Sequence, residues 1–186
     1  MSYRCLLMIL VASEKLYLCI IYAVNVARQF QLNLAAQENL MAIVFEGKMN
    51  VFEAPVEVVT CTINLVGVMG AGVAKEYKAR FPETFRQYQW WCRNGFQIGQ
   101  LAIQKLNNGQ RGLLFPTKKH WRDPSEIEWI ELGLQKLVAT YKLCKIQSLA
   151  ITPLGCSNGR LNYQRDVRPL MLKYLNQLEC PVYICL

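Results

Sequence analysis

From residue 42 onward, apolar positions alternate between strand-like runs and stripes of helical spacing. Ala42–Phe45 predicts a first strand, and Gly47–Pro55 a connection. Val56–Asn64 (VEVVTCTIN) is β-branched and bounded by turn residues, which predicts a buried strand. A glycine-rich loop at Gly67–Gly72 leads into a helix over Val73–Arg80. Phe81-Pro82 interrupts it, and a second amphipathic helix over Glu83–Arg93 stops at Asn94-Gly95. Leu101–Lys105 and Gly112–Phe115 read as short strands around Asn107-Asn108-Gly109, a hairpin signal. Pro116–Pro124 reads as a polar loop. Ser125-Glu126-Ile127-Glu128 has the form of a capping box, and Ile127, Ile130, Leu134, Leu137 and Tyr141 then recur on one helical face. Ser148–Pro153 predicts another strand. Leu154–Asn162 is a second glycine-containing loop, followed by a helix to about Leu178 and a closing strand, Val182–Leu186.

Strand and helix patterns that alternate in this way predict an α/β fold with a largely parallel sheet covered on both faces. Both glycine loops fall at the carboxyl ends of strands, where such sheets bind ligands. Residues 1–41 follow a different pattern. Cys5–Ala12 and Tyr17–Val26 are apolar, but Ser13-Glu14-Lys15 separates them. Each run falls short of the ~18 apolar residues of a membrane span, so none is expected. The two charges also break the hydrophobic region of a signal peptide that Arg4 could begin. This segment is read as an upstream extension, or as the product of a start set too early with Met41 as the true one. The folded domain is read as residues 42–186.

Composition narrows the choices further. At 186 residues and 53% apolar, the chain can bury one domain's core, and only 18% charged residues excludes a disordered chain. A formal net charge of +8 suits nucleic acid or a phosphate-bearing ligand, without bearing on fold. The eight cysteines include no C-x-x-C pair and only one histidine, His120, accompanies them. Reduced thiols in a cytoplasm are therefore expected, with no metal site.

Three segments carry candidate chemistry. Gly67–Lys75 (GVMGAGVAK) turns from strand to helix, where glycines admit a phosphate close to backbone amides and the positive end of a helix dipole. Val73 stands where a Walker loop has lysine, and the third glycine of a dinucleotide fingerprint is missing. Pro153–Leu161 (PLGCSNGRL) repeats the arrangement and can form an anion-binding nest. Two nests at one sheet edge suit a diphosphate. Between them, Phe115–Trp121 (FPTKKHW) sets two lysines at a strand end. A lysine there can act as electrophilic stabiliser or, if desolvation or nearby cations lower its pKa, as nucleophile.

Together, Asn64–Ala74 (NLVGVMGAGVA), Phe115–Trp121 and Pro153–Leu161 resemble macro domains. The likeness is strongest to the DarG-type antitoxin macro domains, which remove ADP-ribose from DNA bases. It is more distant to the terminal ADP-ribose–protein glycohydrolase. The resemblance runs from about Ala42 to Leu186 and implies a three-layer α/β/α sandwich around a mixed sheet. By position it implies Asn50 and Val51 at the adenine end. Gly70, Ala71, Gly72 and Val73, with Gly155, Cys156, Ser157, Asn158, Gly159 and Arg160, would hold the diphosphate and its ribose. Asn64 would lie near the distal ribose, and Thr117 and Lys118 would form the Thr-Lys loop whose lysine hydrolysis requires. No cofactor is implied.

Two residues depart from the pattern. Cys61 replaces an asparagine that contacts ribose in the antitoxin-like members. Gly159, as in those members, replaces the aspartate of the terminal glycohydrolase's two-residue mechanism. The chain also stops at Leu186, before any further domain of the kind with which a full antitoxin grips its toxin. The expected function is therefore hydrolysis of ADP-ribose from a modified macromolecule, foremost nucleic acid, with single-stranded DNA as a partner and Trp90, Trp91 or Trp121 stacking on it. The alternatives are a reader that binds ADP-ribose without turnover, which Cys61 favours, or a hydrolase of O-acetyl-ADP-ribose or ADP-ribose 1″-phosphate.

Overall fold

The computed structural model describes residues 43–186. The extension read over residues 1–41, the start at Met41 and the first residue of the predicted opening strand lie outside the described residues. The strands are β1 (Val44–Gly47), β2 (Val58–Asn64), β3 (Ala102–Lys105), β4 (Arg111–Lys118), β5 (Leu149–Ile151) and β6 (Val182–Cys185). The helices are α1 (Gly72–Arg80), α2 (Pro82–Arg93), α3 (Ile127–Thr140) and α4 (Arg168–Leu175). One sheet holds the strands in the order β1-β6-β5-β2-β4-β3. Every pairing is parallel except the β3–β4 hairpin, so the mixed, largely parallel sheet expected from the sequence is present.

The central strands explain why their sequences run apolar without a polar face. On β2, Val58 enters a core with Leu113 and Phe115 of β4, Ile130, Leu134 and Leu137 of α3, and Met171 of α4. Its neighbours Val59, Cys61 and Ile63 enter a second core with Leu114 of β4, Tyr77 of α1 and Tyr88 of α2. Burying each such side chain contributes about 1.5–3 kcal/mol, and helices on both faces complete the three layers. Among the described residues, no helix is long and apolar enough to cross a membrane.

The structure corrects three local expectations. Pro116–Lys118, read as the start of a loop, continues β4. Pro116 lies beyond Leu114, the last β4 residue paired with β3, so the strand is an edge on that side and tolerates proline. The capping box does not form. Glu126 is the N-cap of α3 without a side-chain bond, while the Ser125 amide donates to the Gly159 carbonyl at 2.9 Å. Docking on the second glycine loop thus displaces the local cap. Finally, the helix read to Leu178 begins with a π-helical turn, Tyr163–Val167, and ends at Leu175. Asn162 opens that turn by accepting from the Arg165 amide at 2.9 Å.

Gly133 marks the closest approach of α3 to the sheet. A β-carbon there would lie 2.5 Å from Phe115 Cε1 and 3.0 Å from Cε2, and Phe115 is wholly buried. In an open helix, Gly→Ala stabilises by about 1 kcal/mol. Here overpacking reverses the sign, and Gly133→Ala is expected to destabilise by about 1–3 kcal/mol. Urea denaturation checks this, and a stabilised variant would contradict the close packing.

Candidate functional site

β2 and β4 run parallel from Val58 opposite Arg111 to Ile63 opposite Pro116. The register then slips, so that Asn64 faces Lys118 and Thr117 is the extra residue. A bulge re-aims the side chains that follow it. Thr117 is buried, with its hydroxyl 3.5 Å from the Ile63 carbonyl. Beyond the bulge, the Leu65 amide donates to the Lys119 carbonyl at 3.2 Å, which keeps the two chain segments together.

Asn64 shapes the first glycine loop. Its Nδ2 donates to the Val68 carbonyl at 2.6 Å, and its Oδ1 accepts from the amides of Val66 and Val68 at 3.1 and 3.2 Å. The buried Tyr88 hydroxyl donates to the Asn64 carbonyl at 2.7 Å. Gly72 then starts α1 at a φ of +53°, which favours glycine. Ala71 is the N-cap and gives no side-chain bond, and the first turn holds no acidic residue. The amides of the Gly70–Val73 turn and the positive helix end are therefore left for an anion.

The second loop is tighter. Gly155 has a φ of +69° and Arg160 one of +65°. The Leu161 amide donates to the Gly155 carbonyl at 3.1 Å, folding the segment back on itself. A β-carbon on Gly159 would lie 2.7 Å from the Gly155 carbonyl carbon, and closer still to its oxygen and to Ser125 Oγ. Ser125 Oγ is itself buried without a hydrogen-bond partner. An aspartate at 159 therefore has no room unless the backbone moves. Cys156 is half-buried, and burial pushes its thiol up to about 11. Ser157 and Asn158 are exposed.

Lys118 reaches from β4 to the second loop. It is only 8% exposed, and its Nζ donates to the Trp121 carbonyl at 3.2 Å and to the Asn158 carbonyl. Burial lowers its pKa below the ordinary lysine value, as does the positive charge of Arg160, while Asp123 opposes the shift. A β-carbon on Gly72 would lie 3.3 Å from Asn158 Nδ2. Gly72, Asn158 and Lys118, from three segments far apart in sequence, thus meet at one place.

Other predicted residues fall elsewhere. Asn50 donates to Glu76 of α1 at 2.8 Å and accepts from the Phe52 amide at 2.9 Å, while Val51 is buried in the core beside α1. The Asn50 bond, followed by Arg80, holds the Glu76 carboxyl below its usual pKa. Cys61 is fully buried in that same core, where burial holds its thiol protonated. Trp91 packs on Phe96. Residues not anticipated are Tyr88, which holds Asn64, and Ser125, which braces the second loop. Tyr88 had no local signal, and Ser125 carried a misleading one.

A model of the macro domain family matches residues 60–169, more than half of the chain. A DNA ADP-ribosyl glycohydrolase of Thermus aquaticus is 40% identical over 134 residues, which cover 70% of this chain and 37% of that protein. A DNA ADP-ribosyl transferase–DNA ADP-ribosyl glycohydrolase fusion protein of Thermosipho africanus is 38% identical over 160 residues, covering 76% and 40%. The chain therefore spans less than half the length of these relatives. Among solved structures, the macrodomain of Thermus aquaticus DarG has a TM-score of 0.73 and 36% identity, covering 78% of this chain and 99% of that chain. Thermosipho africanus DarTG in complex with ADP-ribose shows the same score and identity, covering 79% and 42%. The family match takes in both glycine loops and the strand end that carries Lys118, and this chain belongs to the macro domain family.

Proposed function

We propose that this chain holds the diphosphate of ADP-ribose between its two glycine loops and hydrolyses the bond joining ADP-ribose to a nucleic-acid base, with Lys118 as nucleophile. The convergence of Lys118, Asn158 and Gly72 carries this reading. The relatives named DNA ADP-ribosyl glycohydrolase, and the solved relative in complex with ADP-ribose, point to the same ligand and reaction. The amides of Gly70–Val73 and Gly155–Arg160 supply donors for the phosphates, and Asn50 and Val51 lie by α1 on the adenine side. Asn64 acts by fixing the first loop beside the distal ribose.

The lowered lysine pKa raises the fraction of free amine available for attack. In the first step the amine forms a bond to C1″ of the distal ribose while the glycosidic bond breaks. The base leaves with the bonding pair and takes up the proton the amine loses. Water then displaces the lysine and yields free ADP-ribose. Gly159 carries no acid and leaves no room for one, so no carboxylate at that position takes part. Cys61 itself is fully buried in the core that also holds Val51.

Lys118→Ala is expected to lower release from ADP-ribosylated DNA by on the order of a hundredfold or more, while calorimetry still detects ADP-ribose binding. Equal release by both proteins would remove Lys118 from the reaction, and binding without release by the native chain would identify a reader. A panel including O-acetyl-ADP-ribose and ADP-ribose 1″-phosphate separates the small-substrate reading.

A nucleophilic amine also sets the sign of the pH dependence. The amine is protonated below its lowered pKa, so kcat should rise with pH and level off below the ordinary lysine range. A profile that falls over the same range would instead assign Lys118 the part of a cation. Gly159→Asp is expected to lose about 1–3 kcal/mol of stability and to gain no activity, as thermal unfolding and release assays would show.

A further inference from the structure

Of the four tryptophans, two are structural. Trp129 is 8% exposed with the Lys119 ammonium 4.9 Å from its ring centre, and Trp91 packs on Phe96. Trp90 is exposed on α2, where its carbonyl helps to cap the helix end. Trp121 differs from all three. The residue is 45% exposed, yet its own carbonyl accepts from Lys118 Nζ. The amine placed at the reacting bond and a part-exposed indole, with the Arg122 guanidinium over its ring, thus lie within one short segment.

The segment is built rather than loose. The Arg122 amide donates to His120 Nδ1 at 3.3 Å, and the Asp123 amide donates to the His120 carbonyl at 3.2 Å. The His120 ring lies 5.5 Å from that of Trp121, tilted by 30°. The Arg122 guanidinium sits 4.5 Å from the Trp121 ring centre. Lys119, Arg122 and Arg160 are exposed, and none of them takes part in an ion pair among the described residues. Asp123 is the one carboxylate in residues 118–123.

We propose that Trp121 is the stacking platform for a nucleotide flanking the modified one, with Arg122 and Lys119 meeting the adjoining phosphates. This rests on the nucleic-acid reading of the site. An unpaired base offers a flat π-face to the exposed part of the indole, and Arg122 and Lys119, seated on the Trp121 and Trp129 rings without carboxylate partners among the described residues, keep N–H donors for phosphates. A duplex keeps its bases stacked on one another and offers no such face, so the platform selects a single strand. Trp121 is accordingly a specificity residue that acts on strand binding rather than on the bond broken.

The test compares two substrates: a single-stranded oligonucleotide carrying one ADP-ribosylated base, and the same ADP-ribosylated nucleoside without flanking nucleotides. Trp121→Ala should reduce the ratio of kcat/KM for oligonucleotide over nucleoside by about tenfold, the scale of one lost base–aromatic stack, with the loss mainly in KM. Trp121→Phe should recover much of it, and circular dichroism verifies that both variants fold. An unchanged ratio with an active native chain overturns the platform and leaves the site intact. A fall in kcat shared equally by both substrates also overturns it, since Trp121 would then act only through Lys118. No release from either substrate by the native chain overturns the nucleic-acid reading and the platform together.

Discussion

Because β2 and β4 run parallel with matched ends, the loop that follows one and the lysine that closes the other are delivered to the same sheet edge. The slip in register at Ile63/Asn64 then places Lys118 beside Asn64 instead of leaving Thr117 there. Each later feature of the site depends on that offset. Asn64 can gather the first loop only from this strand end, and Lys118 can reach the Asn158 carbonyl only from its neighbour. The two cores on either face hold the pair of strands rigid, so the offset is a fixed property of the scaffold.

The site's electrostatics follow from what surrounds that lysine. Its hydrogen bonds go to two backbone carbonyls, which are dipoles and not charges. Burial and the Arg160 charge therefore act against the ammonium with only Asp123 opposing. The contrast with Lys142 and Lys173 is instructive: each is bonded directly to a glutamate and has its pKa raised. One residue type thus has its pKa raised in two exposed places and lowered in a buried third.

Much of this was legible in the sequence, and the remainder was hidden for a common reason. Val56–Asn64, the glycine turns and the stripe from Ile127 to Tyr141 announce themselves through neighbours a few residues away, and the structure contains each. Lys118 and the two loops were identifiable because their motifs are local as well. The extension of β4 through Pro116 depends on where β3 stops pairing, which no local pattern records. Ser125 shows the conflict directly, since its surroundings in sequence specify a cap while Gly159 claims its amide. Tyr88 reads as one more apolar position on α2, and only the folded chain reveals that its hydroxyl holds the Asn64 carbonyl. Long-range hydrogen bonds to backbone leave no periodic trace.

The crowding around Gly159 ties that position to Ser125. The Gly155 carbonyl and the Ser125 hydroxyl fill the volume that any side chain at 159 would need. In this chain a side chain at 159 can be accommodated only together with a shift of the loop and of position 125, so the two positions are coupled.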